Sequence, residues 1–251
     1  VKMDKSICTV TLIRPEVRNA LGLEMRNELT NFFTSVRDND EVKVIILTGE
    51  GKAFSAGGDL SALKTVGAVS GRRRLQAGHE MIHSILNLEK PVIAAVNGIA
   101  AGAGVSLALA CDYILATHST LFIQSFVKVG LIPDLGSIYF LPRLIGRHRA
   151  LELMFSGEKL SSVEAHKMGI INRIVPDDLL LNEAHSIASS WAEGPATAMG
   201  LTKKLINRSI LAEINETFEL EGFAQGMCFE SDDFKEGVNA FFEKRKPQFK
   251  H

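Results

Sequence analysis

Two short apolar, β-branched runs, residues 42–48 and 91–96, constrain this chain most, because each leads at once into a glycine-rich stretch. Runs of this kind are strands buried on both faces, as in a parallel sheet covered by its crossover helices. Residues 6–13 alternate as a further strand, Arg14-Pro15 breaks it, and Leu21, Met25, Leu29, Phe32, Phe33 and Val36 carry helical spacing. A helix over 73–88 separates the two apolar runs, and residues 113–116 and 121–123 add short strands. Residues 136–155 and 161–168 read as helices, with Gly146 and Gly157 as punctuation. From 177 onward the pattern is nearly all helical, over 178–193, 195–207, 211–229 and 232–244. The prediction is an α/β chain with a helical end, a change of composition separating 1–190 from 191–251. Several apolar helix faces in the second part suggest an oligomerisation element.

At 251 residues and 46% hydrophobic content, one large core can be buried. A formal net charge of −1 provides no overall field for gathering nucleic acid or an anionic membrane, so an anionic ligand must be met locally. Cys8, Cys111 and Cys228 are odd in number and far apart, which fits neither a disulfide framework nor a metal cluster and suits a reducing cytoplasm. Residues 1–14 read as a strand rather than a leader, and no apolar run reaches the length of a membrane span. The chain therefore reads as cytoplasmic.

The first apolar run opens into Gly49-Glu50-Gly51-Lys52-Ala53-Phe54-Ser55-Ala56-Gly57-Gly58-Asp59-Leu60. The second opens into Asn97-Gly98-Ile99-Ala100-Ala101-Gly102-Ala103-Gly104, where small residues start a helix and leave its first N–H groups unpaired. Two strand-to-loop junctions can aim two backbone donors at one oxygen, which is what stabilises the carbonyl oxygen when a proton leaves beside a thioester. Either loop alone also suits tight turns and close packing.

Phe54-Ser55-Ala56-Gly57-Gly58-Asp59-Leu60, then Lys90-Pro91-Val92-Ile93-Ala94-Ala95-Val96-Asn97-Gly98, then Cys111-Asp112 together resemble the signature of the crotonase superfamily, the enoyl-CoA hydratase/isomerase family. The resemblance spans nearly the whole chain. It implies a spiral of ββα units with a C-terminal helical trimerisation region, and homotrimers or hexamers built as pairs of trimers. It implies an acyl-CoA thioester substrate, coenzyme A entering as part of that substrate, with no separate cofactor and no metal. It puts the oxyanion-hole N–H groups on Gly58 and Ala103. It lays the coenzyme A along Val17, Arg18 and Ala20 and along Ala56, Gly57, Gly58, Asp59 and Leu60, with Phe126 at the substrate. Phe241 and Lys244 match a C-terminal pair that reaches coenzyme A, in some relatives from a neighbouring subunit.

Hydratases of this family use two glutamates to activate water, and those positions here are Ser106 and Phe126. Neither can do that work at neutral pH. Asp134, in Gly130-Leu131-Ile132-Pro133-Asp134-Leu135-Gly136, falls where double-bond isomerases and the ring-epoxide isomerases of phenylacetyl-CoA breakdown resemble one another in having a carboxylate. Apolar neighbours are expected to raise its pKa; the bland alternative is a carboxylate serving the start of a helix. A dehalogenase relative pairs an aspartate here with a tryptophan at the position of Phe126, a partner this chain lacks.

His79-Glu80-Met81-Ile82-His83 is an HExxH string on a predicted helix, the spacing of a zinc peptidase. No convincing third ligand follows it, and the helix has its own apolar face in Leu75, Ile82, Ile85 and Leu86. Arg72-Arg73-Arg74 reads as a solvated run, and Asp59 and Asp112 as acids that organise nearby backbone.

Overall fold

The computed structural model describes residues 1–63 and 66–249. The N-terminal stretch is not one strand but a hairpin, β1 (Lys2–Asp4) antiparallel to β2 (Ile7–Leu12), turned through Lys5 in the left-handed region. No glycine marks that turn, which is why the alternation alone reads through it. Helix α1 (Leu23–Ser35) leads to β3 (Val44–Gly49), which pairs parallel with β2.

Three consecutive ββα units follow. They are β3 with β4 (Ala53–Ser55) and α2 (Ala68–Leu86), β5 (Val92–Val96) with β6 (Ile99–Ala101) and α3 (Ala103–Leu109), and β7 (Tyr113–Thr117) with β8 (Leu121–Ile123) and α4 (Ser137–Ile145). After α5 (Arg147–Ser156) come β9 (Lys159–Ser161), α6 (Ser162–Lys167), β10 (Arg173–Val175) and α7 (Leu180–Ala192). The first strand of each unit enters a six-stranded sheet, β1-β2-β3-β5-β7-β10, and the second a four-stranded sheet, β4-β6-β8-β9. This is the spiral of ββα units expected above.

The central strands are buried on both faces, as their composition demands. Ile45 and Leu47 point into the main core with Phe33 and Ile82, while Val44 and Ile46 meet Ala184 and Ala188 of α7 in a second apolar layer. Residues 136–155 divide at Gly146 into α4 and α5, as that glycine suggested.

The helical end departs from expectation. Residues 195–207 and 211–229 are not two helices but one, α8 (Ala196–Glu230), followed by α9 (Asp232–Phe242). Residues 208–210 hold neither proline nor glycine, so nothing interrupts the backbone ladder. The expected boundary at 190/191 falls inside α7, and Ile214 and Phe218 of α8 belong to the main core.

Candidate active site

Loops 50–58 and 97–102 leave the C-terminal ends of β3 and β5 and meet backbone to backbone. Asn97 ties them, its Oδ1 accepting from Gly49 N–H (3.1 Å) and its Nδ2 donating to Gly51 O (2.9 Å). Gly57 has φ +87°, and a Cβ there would lie 2.4 Å from Ala101 O and 3.0 Å from Ala103 N. Only glycine fits that contact. Ala103 is the first residue of α3, where an N–H has no intrahelical acceptor. The Gly58 N–H likewise meets no acceptor among the described residues. A Cβ on Gly58 would meet nothing within 4 Å, so this position faces open space.

The strap 14–20 is laced to the first loop. Arg18 and Asn19 are both left-handed (φ 53° and 57°), and Asn19 is fully buried. Its Oδ1 accepts from Arg14 N–H (2.9 Å), and its Nδ2 donates to Glu50 O (2.9 Å) and Ala53 O (2.8 Å). Ala56 N–H donates to Arg18 O (2.8 Å), and Leu21 N–H to Gly57 O (2.7 Å). Arg14 pairs with Asp59 at 3.3 Å. The Ser61 hydroxyl, then Arg14, hold the Asp59 carboxyl below its usual pKa. Val17, Arg18 and Ala20 are thus gathered beside 56–60; Asn19, which does the gathering, was absent from the expected site. Of residues 61–67, which lead from this loop into α2, Lys64 and Thr65 lie outside the described residues. Phe241 and Lys244, at and beyond the end of α9, are exposed, and no hydrogen bond joins them to 56–60 among the described residues.

Asp134 is buried and linked to the second loop, for Ser106, one turn into α3, donates its hydroxyl to Asp134 O at 2.8 Å. The carboxyl does not cap α4, which has no side-chain cap bond. Its Oδ2 accepts from Gln225 Nε2 (3.2 Å), and Oδ1 is buried with no partner among the described residues. Burial pushes the Asp134 pKa up to about 6, against the pull of buried Arg26 and with a further push from Glu221. Arg26 itself is held by donating to Leu21 O and Arg74 O. Phe126 is buried, its ring against Gly102.

The HExxH helix serves packing. His79 Nε2 lies 3.2 Å from Glu221 Oε2, its ring stacks on Phe218 at 3.9 Å, and His83 meets Phe218 edge-on. Burial lowers the His79 pKa to about 4 and raises that of Glu221 to about 8, in each case disfavouring the charged form. Among the described residues no group of three or more His, Cys, Asp or Glu could hold a metal. Arg72 is occupied by Glu219 at 2.7 Å. Asp59 and Asp112 do organise backbone, accepting from Ser61 N–H and Val92 N–H.

Arg26, His79, Glu221 and Gln225 were therefore missed as neighbours of Asp134. A signal existed for two of them: Glu221 and Gln225 continue the stripe of buried Ile214 and Phe218 at helical spacing. A cavity of about 370 Å³ lined by Val42, Lys43, Pro91 and Trp191 lies at the other, N-terminal ends of β3 and β5, away from these groups.

Two backbone donors without an acceptor among the described residues, and a buried carboxyl on a residue whose backbone is tied to the helix of the second donor, on an α/β spiral, fit a class of protein able to stabilise an oxyanion and move a proton. The enoyl-CoA hydratase/isomerase model matches residues 2–251, and the chain belongs to that family of acyl-CoA enzymes. It is 38% identical to the 1,2-epoxyphenylacetyl-CoA isomerase of Escherichia coli over 98% of this chain and 96% of that one. It is 39% identical to a probable enoyl-CoA hydratase of Rhodobacter capsulatus, over 99% and 96%. Among solved structures, an enoyl-CoA hydratase from Mycobacterium avium subsp. paratuberculosis superposes with a TM-score of 0.91 at 31% identity, covering 100% of this chain and 97% of that one. Among the described residues no helix is long and apolar enough to cross a membrane.

Proposed function

We propose that this enzyme moves the double bond of a 3-enoyl-CoA to the trans-2 position. The observation that carries the reading is the buried carboxyl of Asp134, on a residue whose backbone carbonyl accepts from Ser106 of the helix that begins at Ala103, with no carboxylate at 106 or 126. Asp134 removes a proton from C2, and the electron pair moves onto the thioester oxygen, held by the N–H groups of Gly58 and Ala103. The dienolate is reprotonated at C4 by the same carboxyl, leaving C2=C3 and restoring the base. Each backbone donor is worth about 3 kcal/mol in the transition state. A carboxyl whose pKa lies near 6 both takes and returns a proton readily at neutral pH.

Coenzyme A is the handle, lying along Val17, Arg18, Ala20 and residues 56–60, with Phe126 at the acyl group and Phe241 and Lys244 contributed across a homotrimer or hexamer in the cytoplasm. No separate cofactor is needed, since the reaction is redox-neutral and internally proton-balanced. Isomerisation of a ring thioester is the second reading, favoured by the name of the Escherichia coli relative. The test is a panel of linear and aromatic acyl-CoA substrates in D2O, following C2 exchange together with product. Asp134→Asn is expected to lower both by about 10²–10⁴-fold. Unchanged turnover would remove Asp134 as the base, and exchange in neither protein would leave an acyl-CoA binder.

A further inference from the structure

We infer that Gln225 of α8 is a positioning residue for Asp134, fixing Oδ2 and leaving Oδ1 as the oxygen that carries the proton. The inference rests on the proposed isomerisation and adds to it a side chain 91 positions away in sequence. Gln225 is 2% exposed, and its amide is read out completely by its surroundings. Its Oε1 accepts from Ile132 N–H (3.1 Å), while its Nε2 donates to Ile132 O (3.3 Å) and to Asp134 Oδ2 (3.2 Å). Flipping the amide would set an oxygen against two acceptors and an NH2 against a donor, so only one orientation is stable.

The grip has a second point. One helical turn earlier, Glu221 Oε1 accepts from Gly136 N–H at 3.3 Å. The two side chains hold residues 132 and 136 from one face of α8, on either side of Asp134, where Leu135 and Gly136 both take left-handed backbone (φ 52° and 84°). Asp134 Oδ1, buried and unpartnered among the described residues, is then the atom left for a proton to reach. A proton on Oδ1 leaves the Gln225 bond to Oδ2 intact, so the carboxyl can gain and lose it without turning.

The charged and titratable groups facing the carboxyl are Arg26 from α1, His79 from α2 and Glu221 from α8, with Arg74 behind Arg26 and Glu219 behind His79. Arg26 favours the ionised form, and Glu221, when charged, opposes it. The hydrogen bond from Gln225 also favours the ionised form, so its loss raises the pH at which the base becomes active.

The experiment is the pH profile of kcat and kcat/KM for wild type, Gln225→Met, Gln225→Glu and Asp134→Asn, with the folded fraction measured by circular dichroism. Wild type is expected to lose activity below a limb near pH 6. Gln225→Met, similar in length but without polar atoms, is expected to move that limb up by about half a pH unit or more and to lower kcat about tenfold, KM changing less than about twofold. Gln225→Glu adds a like charge and moves the limb further. A purely structural glutamine would lower the folded fraction and leave the limb in place. If Asp134→Asn is inactive and neither Gln225 variant moves the limb, this inference falls while the isomerase reading stands. If Asp134→Asn turns over normally, both fall together.

Discussion

Neighbouring glycines in the first loop should respond to the same substitution in opposite ways. In Gly57→Ala the new Cβ would lie 2.4 Å from Ala101 O, so the two loops must part by about 0.9 Å to reach the ~3.3 Å of a comfortable carbon–oxygen contact. That exceeds the ~0.5 Å within which a productive site must be held, and a shift near 1 Å costs roughly 10² in rate. The left-handed backbone at φ +87° adds about 1–2 kcal/mol for a residue with a Cβ. At roughly 2–4 °C per kcal/mol in a chain of this size, a melting point lower by at least about 2 °C is expected. In Gly58→Ala the Cβ meets nothing within 4 Å and φ is not positive, so stability is unchanged or raised by about 0.4–1 kcal/mol. Its methyl occupies the space beside the N–H instead, and the loss appears in kcat/KM. The assay is a thermal melt of each variant paired with steady-state kinetics on a 3-enoyl-CoA. The reasoning fails if Gly57→Ala melts with the wild type, or if Gly58→Ala lowers the melting point while leaving kcat/KM untouched.

Glu221 offers a stability test with a defined sign. Its pKa is raised from 4.5 to about 8 in the folded chain, so its contribution is present below pH 4.5 and is lost as pH rises through 8; Glu221→Gln should flatten the melting-point decline across that window. Lys203 Nζ binds Asp112 Oδ2 at 2.7 Å and Lys90 O at 3.0 Å, which ties α8 to the turn after α3. Lys203 is buried but the Asp112 side chain is a quarter exposed, so Lys203→Met should cost about 1–3 kcal/mol in urea unfolding; a cost below about 0.5 kcal/mol would show the pair to be solvent-screened. Asn19→Ala removes two donors and one acceptor that lace the strap to the first loop, and should loosen hydrogen-exchange protection at Ala56 and Leu21 before it changes protection in β5.

The parts of the fold carried by local pattern were legible. Residues 44–49 and 92–96 are strands because an apolar β-branched run has few other ways to bury itself, and the glycines after them mark where backbone approaches backbone. What escaped depended on partners distant in sequence or on signals that glycine usually provides. Lys5 turns the first hairpin and Arg18-Asn19 turn the strap in left-handed conformations without glycine, and only Asn19, a residue that tolerates that region, offered a cue. Asp134 stood out because its position resembles that of the carboxylate in the family's isomerases, but its surroundings arrive from three helices: Arg26 from α1, His79 from α2, Gln225 from α8. His79 was conspicuous for the wrong reason, since spacing within one helix suggests a ligand pair, whereas Phe218 and Glu221 of another helix decide its role. Asn19 looked like one residue among several in the strap, and only its three side-chain bonds reveal it as the hub.

Helix α8 runs unbroken for 35 residues, about 52 Å, and its inner face carries Glu221 and Gln225, which under the proposed mechanism cradle the base. That changes where this chain can be cut and rejoined. A chimera that keeps residues 1–190 and borrows its helical end from a relative with a different acid also imports that relative's residues at the positions of Glu221 and Gln225. The recipient's Asp134 would then sit in a foreign cradle, with its loop correctly folded and its carboxyl wrongly aimed. Grafts meant to preserve the chemistry must carry the 130–136 loop and α8 as one inherited unit.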